Sequence, residues 1–274
     1  MQHDAGGEPE VALAGGNMND VVRRGEAVHR TAGPWTPTIH RLLGHLHGRG
    51  VGWLPRPPGF DEGGREVLTY LPGTVPTYPM PAWVWSEEVL LGAGRRLAQV
   101  HQASRDFDTT GTVWQLPAHS PAEVVCLNDV APYNMVFDDA HQLTAFIDVD
   151  TASPGPRVWD LAYLAYRMVP LAPAQDTGEG PPSTAVRRSR LELLCQAYAG
   201  AGDGVAVSPP AVLRTVPPRL AELAAFTAAR AAAGATQVAA HAQGYLDDAR
   251  WVEEHLEELL PAVDGPTVQP PTVS

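Results

Sequence analysis

Two carboxylates and a carboxamide can do chemistry together if the chain returns them to one place. The stretch Cys-Leu-Asn-Asp-Val-Ala-Pro-Tyr-Asn at 126–134 ends an apolar run and sets Asp129 and Asn134 in a D-x-x-x-x-N spacing. Asp148 follows at the end of Leu-Thr-Ala-Phe-Ile-Asp, Asp150 stands two residues on, and Asp160 lies in Val-Trp-Asp-Leu-Ala-Tyr. Phosphoryl transfer needs few reacting groups: a carboxylate to take the proton of an attacking hydroxyl, and oxygen ligands to hold Mg²⁺ across nucleotide phosphates. Asp129 can supply the first, Asn134 and Asp148 the second. The spacing alone is weak, and the plainer reading is a set of turn residues, with Asp148 capping a turn. Against that, Phe-Ile-Asp-Val-Asp puts carboxylates on a strand of otherwise buried residues, where unpaired charge is costly.

The elements around these residues must bring them to one edge. Apolar Glu-Val-Val-Cys-Leu predicts a strand before the loop, Met-Val-Phe a second and Leu-Thr-Ala-Phe-Ile-Asp a third. Upstream, residues 11–31 read as three short strands turning at Gly15–Gly16 and Gly25–Glu26. Over 36–48 the period changes: Thr36 can cap, Pro37 suits the first turn, and Ile39, Leu42, Leu43 and Leu46 mark one helical face. A hairpin around Asp61–Gly64 follows. Ser86, ahead of Glu87 and Glu88, predicts an N-cap for a helix reaching about residue 104. From 158 the pattern is helical, broken at 171–183 and 200–209. The order is sheet-rich, then helix-rich, which fits an α+β chain of two lobes. Loose tails are expected at 1–10 and 265–274, a small lobe at 11–72 and a larger one at 73–264.

Composition removes other chemistries. All 19 basic residues of the 274 are arginine, which excludes a Walker lysine, a Schiff base and a Ser-Lys dyad. A formal charge of −12 argues against nucleic acid as partner. That charge is compatible with a cationic substrate, and Asp247, Asp248, Glu253 and Glu254 could face one, although a solvated helix face is the simpler reading. Cys126 and Cys195 lack metal spacing and read as reduced, buried thiols of a cytoplasmic protein. No signal peptide is read at the N-terminus, and the alanine-rich stretch 220–240 carries charges unsuited to a membrane span. His40, His45 and His47 are not spaced to share a metal. No G-x-S-x-G, H-E-x-x-H or G-x-G-x-x-G occurs.

The run Val-Val-Cys-Leu-Asn-Asp-Val-Ala-Pro-Tyr-Asn, with Leu-Thr-Ala-Phe-Ile-Asp-Val-Asp and Val-Trp-Asp-Leu-Ala-Tyr, resembles the core of the aminoglycoside phosphotransferases, relatives of choline kinases and more remotely of protein kinases. It looks closest to an actinobacterial branch of phosphotransferases. The resemblance implies a bilobal protein-kinase-like fold, a β-rich N-lobe and a helical C-lobe, with ATP (or GTP) and Mg²⁺ between them. It implies Asp129 as catalytic base and Asn134 and Asp148 as magnesium ligands. Asp160 would support the loop, or cap the helix that follows it, and Asn128 would be a further support. Gly15, Gly16 and Asn17 resemble the phosphate-covering turn. Val28 would meet adenine, and Arg30, on the same strand face, would take the phosphate role that lysine has in the family. Tyr70 and Leu71, in Thr-Tyr-Leu-Pro-Gly, resemble the interlobe hinge.

Three departures stand out. Leu127 occupies the family's histidine position, Val149 an aromatic one, and the helix 37–48 has no acid to complete a Lys–Glu pair. The expected activity is ATP-dependent phosphate transfer to a hydroxyl of a small molecule, which the family label makes aminoglycoside-like or otherwise cationic. The alternative is a catalytically weak kinase-like protein that binds nucleotide or ligand and confers immunity by sequestration. Oligomeric state is not legible.

Overall fold

Short β-branched runs between glycine turns pair into one sheet. The computed structural model describes residues 10–13, 21–173, 181–233 and 239–260. In it β1 (Val11–Ala12), β2 (Val22–Arg24), β3 (Ala27–Arg30), β4 (Gly59–Phe60) and β5 (Glu66–Thr69) form an antiparallel sheet of order β1-β2-β3-β5-β4. The turn between β2 and β3 uses Gly25 at φ +55°. Because β3 pairs antiparallel with β5, Arg30 stands opposite Glu66 and Val28 opposite Leu68. The expected turn at Gly15, Gly16 and Asn17 lies outside the described residues, as do the expected tails except Glu10, which pairs with Arg24.

Helix α1 (Thr36–Gly48) lies beside this sheet and buries Ile39, Leu42, Leu43 and Leu46 completely. Thr36 is the first helical residue rather than the cap, and its Oγ1 accepts the Gly33 amide at 2.9 Å. The three histidines of α1 point to different partners: His40 to Glu66, His45 to the Ala103 carbonyl, and His47 to the Pro55 carbonyl.

The link between the lobes is held at both ends. The Tyr70 amide donates to the Glu26 carbonyl at 2.8 Å, and Thr74 and Phe137 exchange main-chain bonds of 2.7 and 2.9 Å. The close approach at 73 requires glycine: Gly73 has φ +143°, and a Cβ there would meet the Phe137 oxygen at 2.5 Å.

The larger lobe begins with α2 (Glu87–Ser104), whose Ser86 hydroxyl accepts the Val89 amide as expected. Two antiparallel ribbons follow, β6 (Val124–Cys126) with β9 (Ser153–Gly155), and β7 (Met135–Phe137) with β8 (Leu143–Phe146). Strand β9, Ser-Pro-Gly, carries no β-propensity signal. Among the described residues it pairs only with β6, so Pro154 costs no ladder bond, and its carbonyl accepts the His119 amide. Helices α3 (Arg157–Met168), α4 (Thr184–Ala199), α5 (Pro209–Ala232), α6 (Ala239–Glu254) and α7 (Leu256–Leu259) complete the chain. The core runs from Leu42 and Leu43 through Leu90 and Leu97 to Leu161, Leu164, Leu213 and Leu220. The architecture is a bilobal, protein-kinase-like α+β fold. None of the described helices is long and apolar enough to cross a membrane.

Gly73→Ala forces a left-handed residue against the β7 backbone, so thermal unfolding should report a loss of about 1–3 kcal/mol.

Candidate active site

The loop between β6 and β7 is placed by a buried carboxylate. Asp160, in the first turn of α3, accepts the Leu127 amide at 2.7 Å on Oδ2 and the Asn128 amide at 2.9 Å on Oδ1. His101 of α2 meets Oδ2 at 3.1 Å, and Tyr198 of α4 meets the other ring nitrogen at 2.7 Å. The Asn128 carbonyl accepts from Arg219 of α5 at 2.6 Å, and its carboxamide donates to Thr151 O and Ser153 Oγ. Asn128 is thereby held at φ +66°, an uncommon conformation for a residue with a side chain. Leu127 has a buried side chain, and its main chain carries the anchoring: the amide to Asp160, the carbonyl to Thr151 Oγ1 at 3.0 Å.

Asp129 follows at the loop's tip. Its Oδ1 accepts from Tyr133 and its Oδ2 from the Asn134 carboxamide, both at 2.9 Å. That carboxamide nitrogen also donates to the Asp129 carbonyl, so Asn134 has its nitrogen committed to Asp129 and its oxygen left for another partner. Burial, then the Asp148 charge, push the Asp129 carboxyl up to about 6, against the opposing pull of Tyr133, Tyr163 and Arg167.

The end of β8 brings the other carboxylates. Asp148 sits at φ +57°, so Asn128 and Asp148 are both strained positions at one site. Arg30 reaches across from the small lobe to Asp148 Oδ1 at 2.8 Å, to Asp150, and to Glu66 at 2.5 Å. Glu66 has no exposure and also meets His40 of α1 at 2.9 Å. Arg30 thus has a buried acid partner although helix 37–48 carries none: the acid comes from the neighbouring strand β5, and α1 joins it through a histidine. Cross-strand register, not helix sequence, completes the pair.

Three carboxylates surround one guanidinium, an excess of negative charge, and burial with that crowding pushes the Asp150 carboxyl up. The Asp148 side chain is 43% exposed, and Arg30 takes only one of its oxygens. A carboxamide oxygen and a carboxylate oxygen beside surplus negative charge are the hard donors a magnesium ion takes, so Asn134 and Asp148 fit that ion.

The remaining expected residues vary in what they can offer. Val28 is half-buried on the Arg30 face of β3. The Tyr70 amide is spent on Glu26 and its ring lies under Arg23 at 3.7 Å, whereas Leu71 makes no main-chain hydrogen bond among the described residues. Of the four acids considered for a cationic substrate, Asp248 accepts from Tyr166 at 2.7 Å and Asp247 pairs with Arg250. Sequence reading missed Glu66, His40, His101, Arg219 and the Tyr133–Tyr163 pair. Only the tyrosine at 133, inside the loop, had a local signal. A wide concavity of about 870 Å³ between Arg49, Glu88 and Arg95 is lined by none of the residues above.

Comparison with known proteins gives this geometry a family. A model of the "Phosphotransferase enzyme family" matches residues 112–190, the span from before β6 into α4. A trifolitoxin immunity protein from Rhizobium leguminosarum bv. trifolii is 31% identical over 199 residues, covering 69% of this chain and 74% of the relative. This chain belongs to the phosphotransferase enzyme family. Choline kinase from Cryptosporidium parvum superposes with a TM-score of 0.62 at 10% identity, over 94% of this chain and 92% of that one. The GDP complex of aminoglycoside 2′-phosphotransferase-IIIa superposes at 0.52 and 14% identity, over 92% and 93%. At such low identities these superpositions show a shared fold.

Replacing Arg30 by Met leaves Glu66 buried without its guanidinium, and urea unfolding should report a loss of about 3–5 kcal/mol. In the metal-free protein, carboxyl NMR should find Asp129 titrating near the value of about 6. Its folded value lies above the unfolded one of about 3.9, so the folded state holds the proton longer. Ionising Asp129 therefore costs stability as pH rises through that window, and Asp129→Asn should remove that slope.

Proposed function

We propose that this protein transfers the γ-phosphate of ATP, or of GTP, to a hydroxyl group of a small molecule. The nucleotide would lie between the lobes 11–72 and 73–264, with Val28 and Leu71 toward the base and the turn at Gly15, Gly16 and Asn17 toward the phosphates. Asn134 Oδ1 and Asp148 would hold magnesium, which supplies charge neutralisation at the phosphates. Asp129 would accept the acceptor's hydroxyl proton as the new oxygen–phosphorus bond forms and the bond to the departing diphosphate breaks. Arg30 would steady Asp148 from the small lobe and offer its remaining N–H groups to phosphate oxygen. Asp160 and Asn128 would keep the loop in register. A cytoplasmic setting would supply the nucleotide and keep Cys126 and Cys195 reduced, both being buried and free.

The observation that carries this reading is the coupling of Asp129 to Asn134. One carboxamide orients the base with its nitrogen and keeps its oxygen free, which suits base and metal ligand acting a few ångströms apart. The anchoring of the loop through main-chain amides supports it further, because that support does not need a histidine at Leu127.

A second reading is a kinase-like immunity protein that sequesters its ligand with little turnover. The relative named as an immunity protein favours it, as does the engagement of Arg30 by Asp148. The two readings separate in one experiment. Wild-type protein is incubated with radiolabelled ATP or GTP, Mg²⁺ and a panel of hydroxyl compounds, alongside Asp129→Asn. Transfer that falls about 10²–10⁴-fold in the variant, with nucleotide binding retained, is expected. Equal rates in the two proteins would remove Asp129 as base, and magnesium-dependent nucleotide binding without transfer to any acceptor would favour sequestration.

A further inference from the structure

The face of α3 that carries Asp160 continues to Tyr163 and Arg167, at helical positions i, i+3 and i+7. Asp160 holds the loop, the Tyr163 hydroxyl meets the Tyr133 hydroxyl at 2.9 Å beside Asp129, and Arg167 comes next. The Arg167 guanidinium lies over the rings of Tyr133, Tyr166 and Tyr78 at 5.0, 5.4 and 5.8 Å and donates to the Tyr78 hydroxyl. Tyr245 of α6 closes the group against Tyr166, with ring centroids 6.4 Å apart.

Among the described residues no carboxylate lies within ion-pair distance of Arg167, and its Nε is buried without an acceptor. This contrasts with Arg30, Arg157 and Arg49, each of which meets a carboxylate. Asp248, the nearby acid of α6, is turned to the Tyr166 hydroxyl. A guanidinium satisfied only by aromatic faces and one phenol retains donors and charge that a ligand can use. A polyamine would bring like charge onto it, and the two acids that sense this guanidinium, Asp129 and Asp248, already accept from Tyr133 and Tyr166.

We propose that this tyrosine-walled patch with Arg167 is the acceptor subsite, and that it selects a hydroxyl compound bearing a carboxylate or phosphate rather than a polycationic aminoglycoside. The inference rests on the phosphotransferase reading for the acceptor's position beside Asp129. Arg167 would grip the anionic group bidentately, and the tyrosine rings would flank an apolar or aromatic body.

A charge series on one ring tests it. Ligand-observed NMR titrations, without nucleotide, compare N-acetyl-L-tyrosine (anionic), N-acetyl-L-tyrosinamide (neutral), tyramine (cationic) and kanamycin. Wild-type protein should bind the anion about tenfold or more tighter than tyramine, as expected for a charge-assisted hydrogen bond. Arg167→Gln should level the series, and Arg167→Lys should restore part of the preference. Equal or tighter binding of tyramine or kanamycin overturns the proposal, as does the absence of saturable anion binding. A preference that survives in Arg167→Gln overturns it too. Should the Gln variant fail to fold, the wild-type series and the Lys variant decide. Because binding is read without nucleotide, failure here leaves phosphate transfer standing, and failed transfer leaves this charge preference standing.

Discussion

Asp160 has no exposure to water, and a buried carboxylate must be answered by donors on every side. Two loop amides and a histidine answer it, and the rest of the site follows from that constraint. With the amides of Leu127 and Asn128 fixed, Asp129 can only emerge at the loop's tip, and Asn134 returns beside it. The arrangement is paid for in backbone strain at Asn128, held in place by contacts to Thr151, Ser153 and Arg219. Helices α2, α3 and α5 each contribute one of the groups that surround this loop, so packing of the large lobe and order of the loop are one problem.

The second set of charges joins the lobes. Arg30 belongs to the small sheet, while Asp148 and Asp150 belong to the end of β8 in the large lobe. Arg30 never loses its charge, so the carboxylates around it have a permanent counter-ion, yet they outnumber it. The chain has no lysine, and Arg30 finds its buried acid partner on the adjacent strand β5. His40 then ties α1 to the same acid, so the helix still senses the pair.

Membership of the phosphotransferase family and the departures from its pattern are compatible for a physical reason. The position at 127 is anchored through its backbone, and any buried side chain of suitable volume leaves those bonds intact. An imidazole, from His101 on α2, meets the Asp160 carboxylate that holds the loop. Beside Asp129 and Tyr133, Arg167 lies among the rings of Tyr133, Tyr166 and Tyr78, with no carboxylate within ion-pair distance among the described residues.

Much of this was legible in the residues. The glycine turn at 25, the leucine face of α1, the Ser86 cap and the order of strands around 124–146 depend on neighbours along the chain, and local spacing reports them. So does the D-x-x-x-x-N loop, because five residues are a short enough return for the amide to reach the carboxylate. β9 escaped notice because Ser-Pro-Gly becomes a strand only by pairing with β6. The lobe-joining partners escaped for the same reason: Glu66 lies 36 residues from Arg30, and Asp148 lies 118. The sequence by itself determined which groups could react and the periodic elements that carry them. Which charges would meet, Arg30 with three carboxylates and Arg167 with none within ion-pair distance among the described residues, was decided by strand register and helix packing, since electrostatic partners are set by distance in space and not by distance along the chain.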